Sequence, residues 1–234
     1  MRWLLLLALV VAAPASAQEP APAPAPAPEP PPAAPVPTWY AQALTSSMVG
    51  PTMTFYWSKG RSMRAFTVVQ GRPVLTLVHG EWYYVIDQLA GTGLAVQRSA
   101  RAVADDAKGQ RPFAWEADLI LAQGAERVRT EDLGGMKAQV YRLTDRVSRR
   151  EVWVPESGER IPLLVEVFDR GLKQTRRTQY AGWRRDLQIP DDFFRPDPRV
   201  TLERLSYDEY LTRSGQGPVG ELPVLYGSML HGTR

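Results

Sequence analysis

The chain has 234 residues, contains no cysteine and carries a formal net charge of +3. Without cysteine there is neither a disulfide framework nor an N-terminal cysteine for lipid attachment, so a folded domain must be held by its apolar core. The small positive excess is mixed with acidic residues along the chain, which argues against nucleic acid as a partner.

The N-terminal region has the order of an export signal followed by a spacer. Arg2 precedes an apolar run, Trp3–Ala13, and the small residues Ala15-Ser16-Ala17 follow. This order predicts a secretory signal peptide at residues 1–17. A membrane-spanning helix needs about 20 apolar residues, more than this run supplies. Residues 18–37 are rich in Pro and Ala, which predicts a semi-rigid polyproline II linker. We therefore expect an exported protein, with the periplasm as its destination.

Strand patterns dominate residues 38–200, which we expect to form one domain. Polar and apolar side chains alternate through Thr52–Ser58, as in a strand with one buried face. Short turns such as SKGR and HGE join successive runs, so neighbouring strands should pair antiparallel. The runs that predict strands are Thr52–Ser58, Met63–Gln70, Val74–Val78, Trp82–Asp87, Glu126–Glu131, Lys137–Thr144, Glu151–Val154, Ile161–Asp169 and Lys173–Leu187, the last with a bend or bulge at Gly182.

Helical patterns flank and interrupt these strands. Residues Trp39–Met48 are compatible with a short helix, and Ser99 is a suitable N-cap for a helix that continues to Ala107. Pro112 suits the start of a second helix. One side of that helix would carry Trp115, Leu119 and Ala122.

The C-terminal region differs from the sheet that precedes it. The three prolines of IPDDFFRPDP end the strand run, because proline cannot donate to a ladder. Residues 201–234 predict one amphipathic helix, which includes Leu202, Leu205 and Tyr207–Leu211, and a loosely ordered tail after Ser214. The fold class is α+β, with one antiparallel sheet of about eight strands and helices inserted midway.

Catalytic motifs are not evident. His79 lies in a tight turn and His231 in the tail, so neither has a visible partner for general-base work or for metal binding. The stretch Gly91-Thr92-Gly93 fails the dinucleotide pattern and is better interpreted as a loop. The carboxylate pairs Asp105-Asp106 and Asp191-Asp192 diverge or belong to a turn. We expect no enzymatic activity, no cofactor and no metal.

An exported hydrolase is the alternative that this search leaves. It would need acid and base groups drawn from distant positions such as Glu81, Glu116 and Glu166, and nothing in the sequence brings them together.

Arginine doublets stand at positions 149-150, 176-177 and 184-185. On a strand, consecutive side chains face opposite sides of the sheet, so each doublet places one arginine on each face. The ordinary explanation is a solvated sheet surface with edge protection. The functional alternative is an inward arginine that meets a phosphate or carboxylate head group, for which Arg177 and Arg184 are the candidates.

Several strands carry apolar residues on both faces. In the run Ile161–Phe168, Leu164 and Phe168 point away from the side that Ile161, Leu163 and Val165 share. The ordinary explanation is core packing on each side. A curved sheet covered only by short helices would instead enclose apolar space that its helices do not fill, which is a cavity for an apolar ligand.

The order of elements and three stretches of sequence resemble the LolA-like family of periplasmic lipoprotein-carrier and lipoprotein-sorting proteins. The stretches are residues 55–87, 140–171 and 178–198, which together span most of residues 50–198. Within them the resemblance rests on Trp153-Val154, Ile161-Pro162-Leu163 and Phe194-Arg195-Pro196. It implies an unclosed, strongly curved half-barrel whose concave apolar face is covered by helices. It also implies a role in holding lipid or lipoprotein acyl chains, or in envelope sensing, without chemistry.

We therefore expect a cell-envelope protein of the outer-membrane lipoprotein-sorting kind that binds lipid or lipoprotein acyl chains. Envelope proteins and peripheral contact with a membrane are further expected partners. The alternative is a sensor or interaction module whose half-barrel is filled by its own side chains. The residues expected to line the cavity are Phe55, Trp57, Leu75, Leu77, Trp82, Tyr84, Trp115, Leu119, Trp153, Leu163 and Val165.

Overall fold

The computed structural model describes residues 36–48, 50–107 and 111–232. The expected signal peptide and nearly all of the expected linker lie outside these residues. No helix within the described residues is both long and apolar enough to cross a membrane.

Twelve strands of the described chain form one sheet. They are β1 (Thr38–Ser47), β2 (Gly50–Lys59), β3 (Ser62–Val69), β4 (Arg72–His79), β5 (Trp82–Asp87), β6 (Thr92–Gln97), β7 (Glu126–Leu133), β8 (Met136–Thr144), β9 (Ser148–Pro155), β10 (Leu164–Asp169), β11 (Gln174–Arg185) and β12 (Thr201–Leu205).

The spatial order of the strands is β12-β6-β5-β4-β3-β2-β1-β11-β10-β9-β8-β7. Neighbours pair antiparallel except β12, which runs parallel to β6. Because β12 and β7 do not pair with each other, the sheet stays open, and the α+β half-barrel expected from the sequence is confirmed. The expected number of about eight strands, all antiparallel, was wrong, since the sheet has twelve strands and one parallel pair.

Four α-helices and one 3-10 helix accompany the sheet in the described residues. They are α1 (Ala100–Asp105), α2 (Glu116–Ala122), the 3-10 helix Asp191–Phe194, α3 (Tyr207–Ser214) and α4 (Gly227–His231). The expected cap of α1 is confirmed, since the Ser99 side chain accepts a hydrogen bond from the Ala102 backbone N–H.

Period-2 alternation divides the side chains of the sheet between two faces. On one face a single core extends over both halves of the sheet, from Val96 on β6 to Val152 on β9, and takes in residues of α2, α3 and α4. On the opposite face the buried residues form two separate clusters, one around Leu77 and one around Trp153. We call the first the inner face and the second the outer face, since a curved sheet brings together only the side chains on its concave side.

The segment Trp39–Met48 is not a helix, and this expectation was wrong. It forms β1 at the centre of the sheet, where Trp39, Ala41 and Ala43 are buried on the inner face. A strand this central is hydrogen-bonded on both sides, and that pairing overrides the helix propensity of its alanines.

Gly182 is a bulge, as its position in the strand pattern predicted. The register between β1 and β11 shifts between Tyr40 and Gln42, opposite this part of β11. Gly182 has a φ of +64°, which a side chain would disfavour.

Two further boundaries differ from the expectation. Helix α2 starts at Glu116 and not at Pro112, and it buries Ala117 and Ile120 while Leu119 is 43% exposed. Residues Thr201–Leu205 are a strand, because pairing with the free edge of β6 satisfies their backbone.

The helix expected at the C-terminus begins only at Tyr207. Ser206 and Glu209 form a reciprocal capping box at its start. Residues 215–232 are not the loose tail that was expected, since Met229 and Leu230 of α4 are buried in the inner core.

Residues Gly91-Thr92-Gly93 were expected to form a loop, but Thr92 and Gly93 belong to strand β6. Gly93 is needed there because β6 lies very close to β5. Gly93 lies opposite Ile86 of β5 and Leu202 of β12. An added Cβ would clash with the Val85 carbonyl oxygen and lie 2.9 Å from the Ile86 Cα. Only glycine allows β6 to lie this close to its neighbour.

Gly93→Ala should lower the free energy of unfolding by about 2 kcal/mol or more, since backbone atoms must move to admit the methyl group. The matched control is Gly215→Ala, where the Cβ would meet only ordinary contacts of 3.6 Å. The control should change stability by no more than about 0.5 kcal/mol. Urea titrations of both variants would measure this, and equal stabilities would refute the close approach.

Candidate ligand-binding cleft

The inner face contains a cleft of about 410 Å³ between α2, strands β10 and β11, and the C-terminal segment. Its size lies within the range of small-molecule sites. Its lining combines aliphatic and aromatic side chains with a few polar groups. The lining residues are Thr45, Tyr56, Pro112, Phe113, Ala114, Trp115, Glu116, Leu119, Val165, Val167, Arg176, Thr178, Tyr180, Leu225, Tyr226, Ser228 and Met229.

Three of the residues expected to line a cavity are found here, namely Trp115, Leu119 and Val165. The other eight lie on the outer face. Leu75, Leu77 and Tyr84 are buried in one outer cluster with Trp82 packed against them. Trp153 and Leu163 belong to the other outer cluster. Phe55 and Trp57 face outward as well, opposite Phe66 and Arg64 in the β2–β3 register. Alternation in the sequence groups residues by face but does not say which face is concave.

An aromatic stack forms one wall of the cleft. The Phe113 ring lies parallel to Tyr56 of β2 at 4.9 Å and to Trp183 of β11 at 5.8 Å between centroids. The Trp115 indole N–H donates to the Arg111 carbonyl oxygen and ties down the loop that carries Phe113. This loop bridges strands on both sides of β1, so the wall is fixed relative to the sheet.

Arg111 is buried beside this wall. Its guanidinium carbon lies 5.4 Å from the Trp39 ring centroid and 5.3 Å from that of Trp183. Its Nη2 donates to the Ala114 carbonyl oxygen at 2.9 Å. Burial lowers the pKa of Arg111, while the charges of Asp118 and Glu116 act in the opposite direction. The aromatic faces of Trp39 and Trp183 add cation–π stabilisation to this buried charge.

A polar pair stands inside the cleft. The Tyr180 hydroxyl donates to Glu116 Oε1 at 2.8 Å. Burial, followed by the charge of Glu116, raises the pKa of Tyr180 well above its usual value, so this hydroxyl stays protonated. Glu116 Oε2 is buried and accepts no hydrogen bond from the described residues. The cleft therefore offers the Glu116 carboxylate as an acceptor, in a lining that also carries the hydroxyl groups of Thr45, Thr178 and Ser228.

An arginine that the sequence reasoning missed lines the cleft. Arg176 of β11 is exposed, opposite Val167 of β10. Its neighbour Arg177, a predicted head-group residue, points outward with its Nε 3.6 Å from Glu166 Oε1. Arg184, the other predicted head-group residue, lies opposite Tyr40 on the outer face. The doublet at 176-177 places one arginine on each face, and which of the two lies on the inner face depends on which face is concave.

The C-terminal strap, which we define as residues 215–232, closes one side of the cleft. Its Leu225, Tyr226, Ser228 and Met229 are part of the lining. The Tyr226 backbone N–H donates to the Tyr83 hydroxyl at 3.2 Å, so the strap is held against β5.

Arg98 fixes the far end of the strap. This buried arginine donates from Nε to the Met229 carbonyl oxygen at 2.7 Å. It also forms two hydrogen bonds, of 2.7 and 2.8 Å, to the Asp106 carboxylate. A charge paired in this way is stable in the interior and orders the residues it touches. The strap is therefore anchored and is part of the folded domain.

The groups considered for hydrolysis are dispersed. Glu116 faces the inner cleft, Glu166 lies on the outer face, and Glu81 is exposed in the β4–β5 turn. His79 Nδ1 is 2.9 Å from the Ser62 hydroxyl, and His231 Nδ1 is 3.0 Å from that of Tyr207. In residues 36–48, 50–107 and 111–232, no group of three or more His, Asp or Glu side chains is arranged to hold a metal ion.

The fold is an open half-barrel with a space of ligand size on its inner face. No family model and no curated protein matches the sequence. Solved structures do match, and one is an uncharacterized conserved protein from Thermus thermophilus. Its TM-score is 0.52 at 10% identity, over 72% of this chain and 90% of that chain.

Two other similar structures have lower scores. A chain of the Pseudomonas aeruginosa MucA/MucB complex gives a TM-score of 0.46 at 13% identity, over 72% of this chain and 59% of that chain. An outer membrane lipoprotein-sorting protein domain from Vibrio parahaemolyticus gives a TM-score of 0.32 at 11% identity, over 68% of this chain and 89% of that chain. At these identities a likeness concerns the fold alone, and the Thermus protein shares the fold of this chain.

Proposed function

We propose that this protein is a non-catalytic binding protein of the cell envelope that holds the acyl chain of a lipid or lipoprotein in its inner cleft. The observation that carries the proposal is the cleft itself, about 410 Å³ of space on the concave side of the sheet. Its walls include Phe113, Leu119 and Val167, which present aromatic and aliphatic surface to a ligand.

The energetics suit reversible binding of a chain. Burying one methylene group contributes about 0.8 kcal/mol, so eight of them would contribute roughly 6 kcal/mol before the costs of ordering. No covalent step is needed to hold such a ligand or to release it. Release would require movement of the strap or of α2.

The polar residues of the cleft suit the head of an amphipathic ligand. Arg176 is an exposed cation on the inner side of β11, beside the apolar Val167. A guanidinium group binds a carboxylate or phosphate through paired hydrogen bonds. A lipid with its acyl chain in the cleft and its anionic head at Arg176 would contact the apolar walls and pair with the guanidinium group.

One observation favours the alternative, an envelope sensor or interaction module. The strap packs apolar residues on the inner core, among them Val219, Leu222 and Val224. The protein's own C-terminal residues thus fill part of the concave side. Mass spectrometry of organic extracts distinguishes the two functions, because a carrier purifies with lipid and a self-filled module does not.

Val167→Trp should fill part of the cleft and weaken acyl-chain binding. Val167 is only partly buried, so the larger side chain should cost little stability. The matched control, Val147→Trp, lies in the exposed β8–β9 turn, where Val147 is 70% exposed. Titration with a fluorescent long-chain fatty acid should show at least about tenfold weaker binding for the first variant only. Equal affinities would rule out the inner cleft as the binding site.

Arg176→Gln should weaken binding of a fatty acid about fivefold to tenfold, since one charge-assisted interaction is lost. Binding of the matching fatty alcohol, which has no charge, should change little. Arg177→Gln is the control, because that side chain lies one residue away on the opposite face. If Arg177→Gln weakens binding and Arg176→Gln does not, the head group lies on the outer face.

A further inference from the structure

A band of apolar side chains lies exposed on the outer face. We call it the outer strip; its residues, on β1, β2 and β3, are Tyr40, Leu44, Met53, Phe55, Trp57, Phe66 and Val68. Its rings adjoin one another, with centroids 5.3 Å apart for Tyr40 and Trp57, 6.3 Å for Phe55 and Trp57, and 6.4 Å for Phe55 and Phe66.

The fold covers only one end of this strip. The chain between β11 and β12 crosses the outer face, where Phe193 packs on Trp57 at 5.7 Å between centroids. At the other end the aliphatic residues remain in solvent, with exposed fractions of 40% for Leu44, 45% for Met53 and 48% for Val68. Exposed apolar residues scattered singly are common in soluble proteins, but a contiguous band marks an interaction surface.

The strip occupies the crest of the convex face. Four strands, β12, β6, β5 and β4, lie on one side of it, and five, β11 to β7, lie on the other. Strands β1, β2 and β3 are hydrogen-bonded on both sides, so no free edge is available there for a peptide to add as a strand. The outer face does contain a cleft of about 550 Å³ between β3–β5 and the chain before β12, but its lining includes none of the residues of the strip, which is a convex crest. This crest suits contact with a broad, flat surface.

Arginines flank the strip on the same face. Arg184 lies opposite Tyr40 and Arg177 opposite Ser46, and both are exposed. Among the residues that the structure describes, Arg184 has no ion-pair partner, and the Arg177–Glu166 pair is loose at 3.6 Å. Both cations therefore remain available to an anionic surface.

We propose that the outer strip is a docking surface for an anionic lipid bilayer. Tyr and Trp rings are suited to the boundary between head groups and acyl chains, with Leu44, Met53 and Val68 inserted and Arg177 and Arg184 on lipid phosphates. This goes beyond acyl-chain binding, because it uses the opposite face of the sheet. Docked in this way, the protein would hold its inner cleft on the side away from the bilayer.

The test is cosedimentation of the full-length mature protein with vesicles of two compositions. One is phosphatidylcholine alone, and the other is an equal mixture of phosphatidylcholine and phosphatidylglycerol. The wild type should bind the anionic vesicles more tightly. Val167→Trp should bind them as the wild type does, because the cleft is on the other face. A loss of fatty-acid binding and a loss of vesicle binding can therefore be measured independently.

The strip variant replaces Leu44, Met53 and Val68 with Thr, which preserves strand propensity. The control variant replaces three apolar residues of similar or greater exposure in turns, Leu89, Val147 and Leu172, with Thr. The strip variant should bind at least about tenfold more weakly and the control as the wild type does. Circular dichroism would confirm that both are folded.

The charge variant carries Arg177→Gln and Arg184→Gln, with Arg146→Gln and Arg160→Gln as its control. Loss of the two outer-face arginines should weaken binding to anionic vesicles about fivefold for each charge and leave binding to neutral vesicles unchanged. The proposal is overturned if the wild type binds neither kind of vesicle, which would leave the strip to a protein partner. It is also overturned if the control variant with Leu89, Val147 and Leu172 replaced loses as much binding as the strip variant.

Discussion

The pairing of β1 with strands from both halves of the chain is the constraint on which the rest of the structure depends. β1 pairs with β2 along its whole length on one side and with β11 on the other, so residues far apart in sequence become neighbours. The cleft is built across this junction, from Thr45 on β1, Tyr56 on β2 and Tyr180 on β11. The outer strip lies on the reverse side of the same strands.

How the concave side is filled decides whether a ligand can enter. Phe113 is clamped between Tyr56 and Trp183, and the buried Arg111 is held by the rings of Trp39 and Trp183. The strap covers a further part, held by Arg98. These elements are fixed to the sheet by stacking and hydrogen bonds, so they leave a defined space beside α2. The same architecture suits a carrier or a self-filled module, and the presence or absence of lipid in that space distinguishes the two.

Strand positions followed from the sequence wherever alternation was strong, as in Thr52–Ser58 and Lys137–Thr144, because half-buried strands require it. Trp39–Met48 was misassigned because pairing on both sides outweighs local propensity. Thr201–Leu205 was missed because its partner β6 lies more than 100 residues earlier. The prolines of the preceding segment gave no sign that the chain returns to the sheet.

The site was predictable only in part. Apolar residues on both faces of the strands were visible in the sequence, but curvature is a property of the whole sheet. Eight of the eleven expected lining residues therefore lie on the outer face. The position of Arg176 on the inner face was not predictable for the same reason, since the sequence does not say which of Arg176 and Arg177 faces inward. Glu116 was named only among dispersed hydrolase candidates, and its pairing with Tyr180 gave no signal because that partner is 64 residues away.

A crystal structure with a bound long-chain fatty acid that carries a terminal bromine would test most directly which face holds the ligand. The anomalous signal should place the bromine in the inner cleft, among Leu119, Val165 and Met229. A bromine on the outer face beside Phe55 or Leu75, with the cleft closed by contact between Leu119 and Val167, would contradict the account.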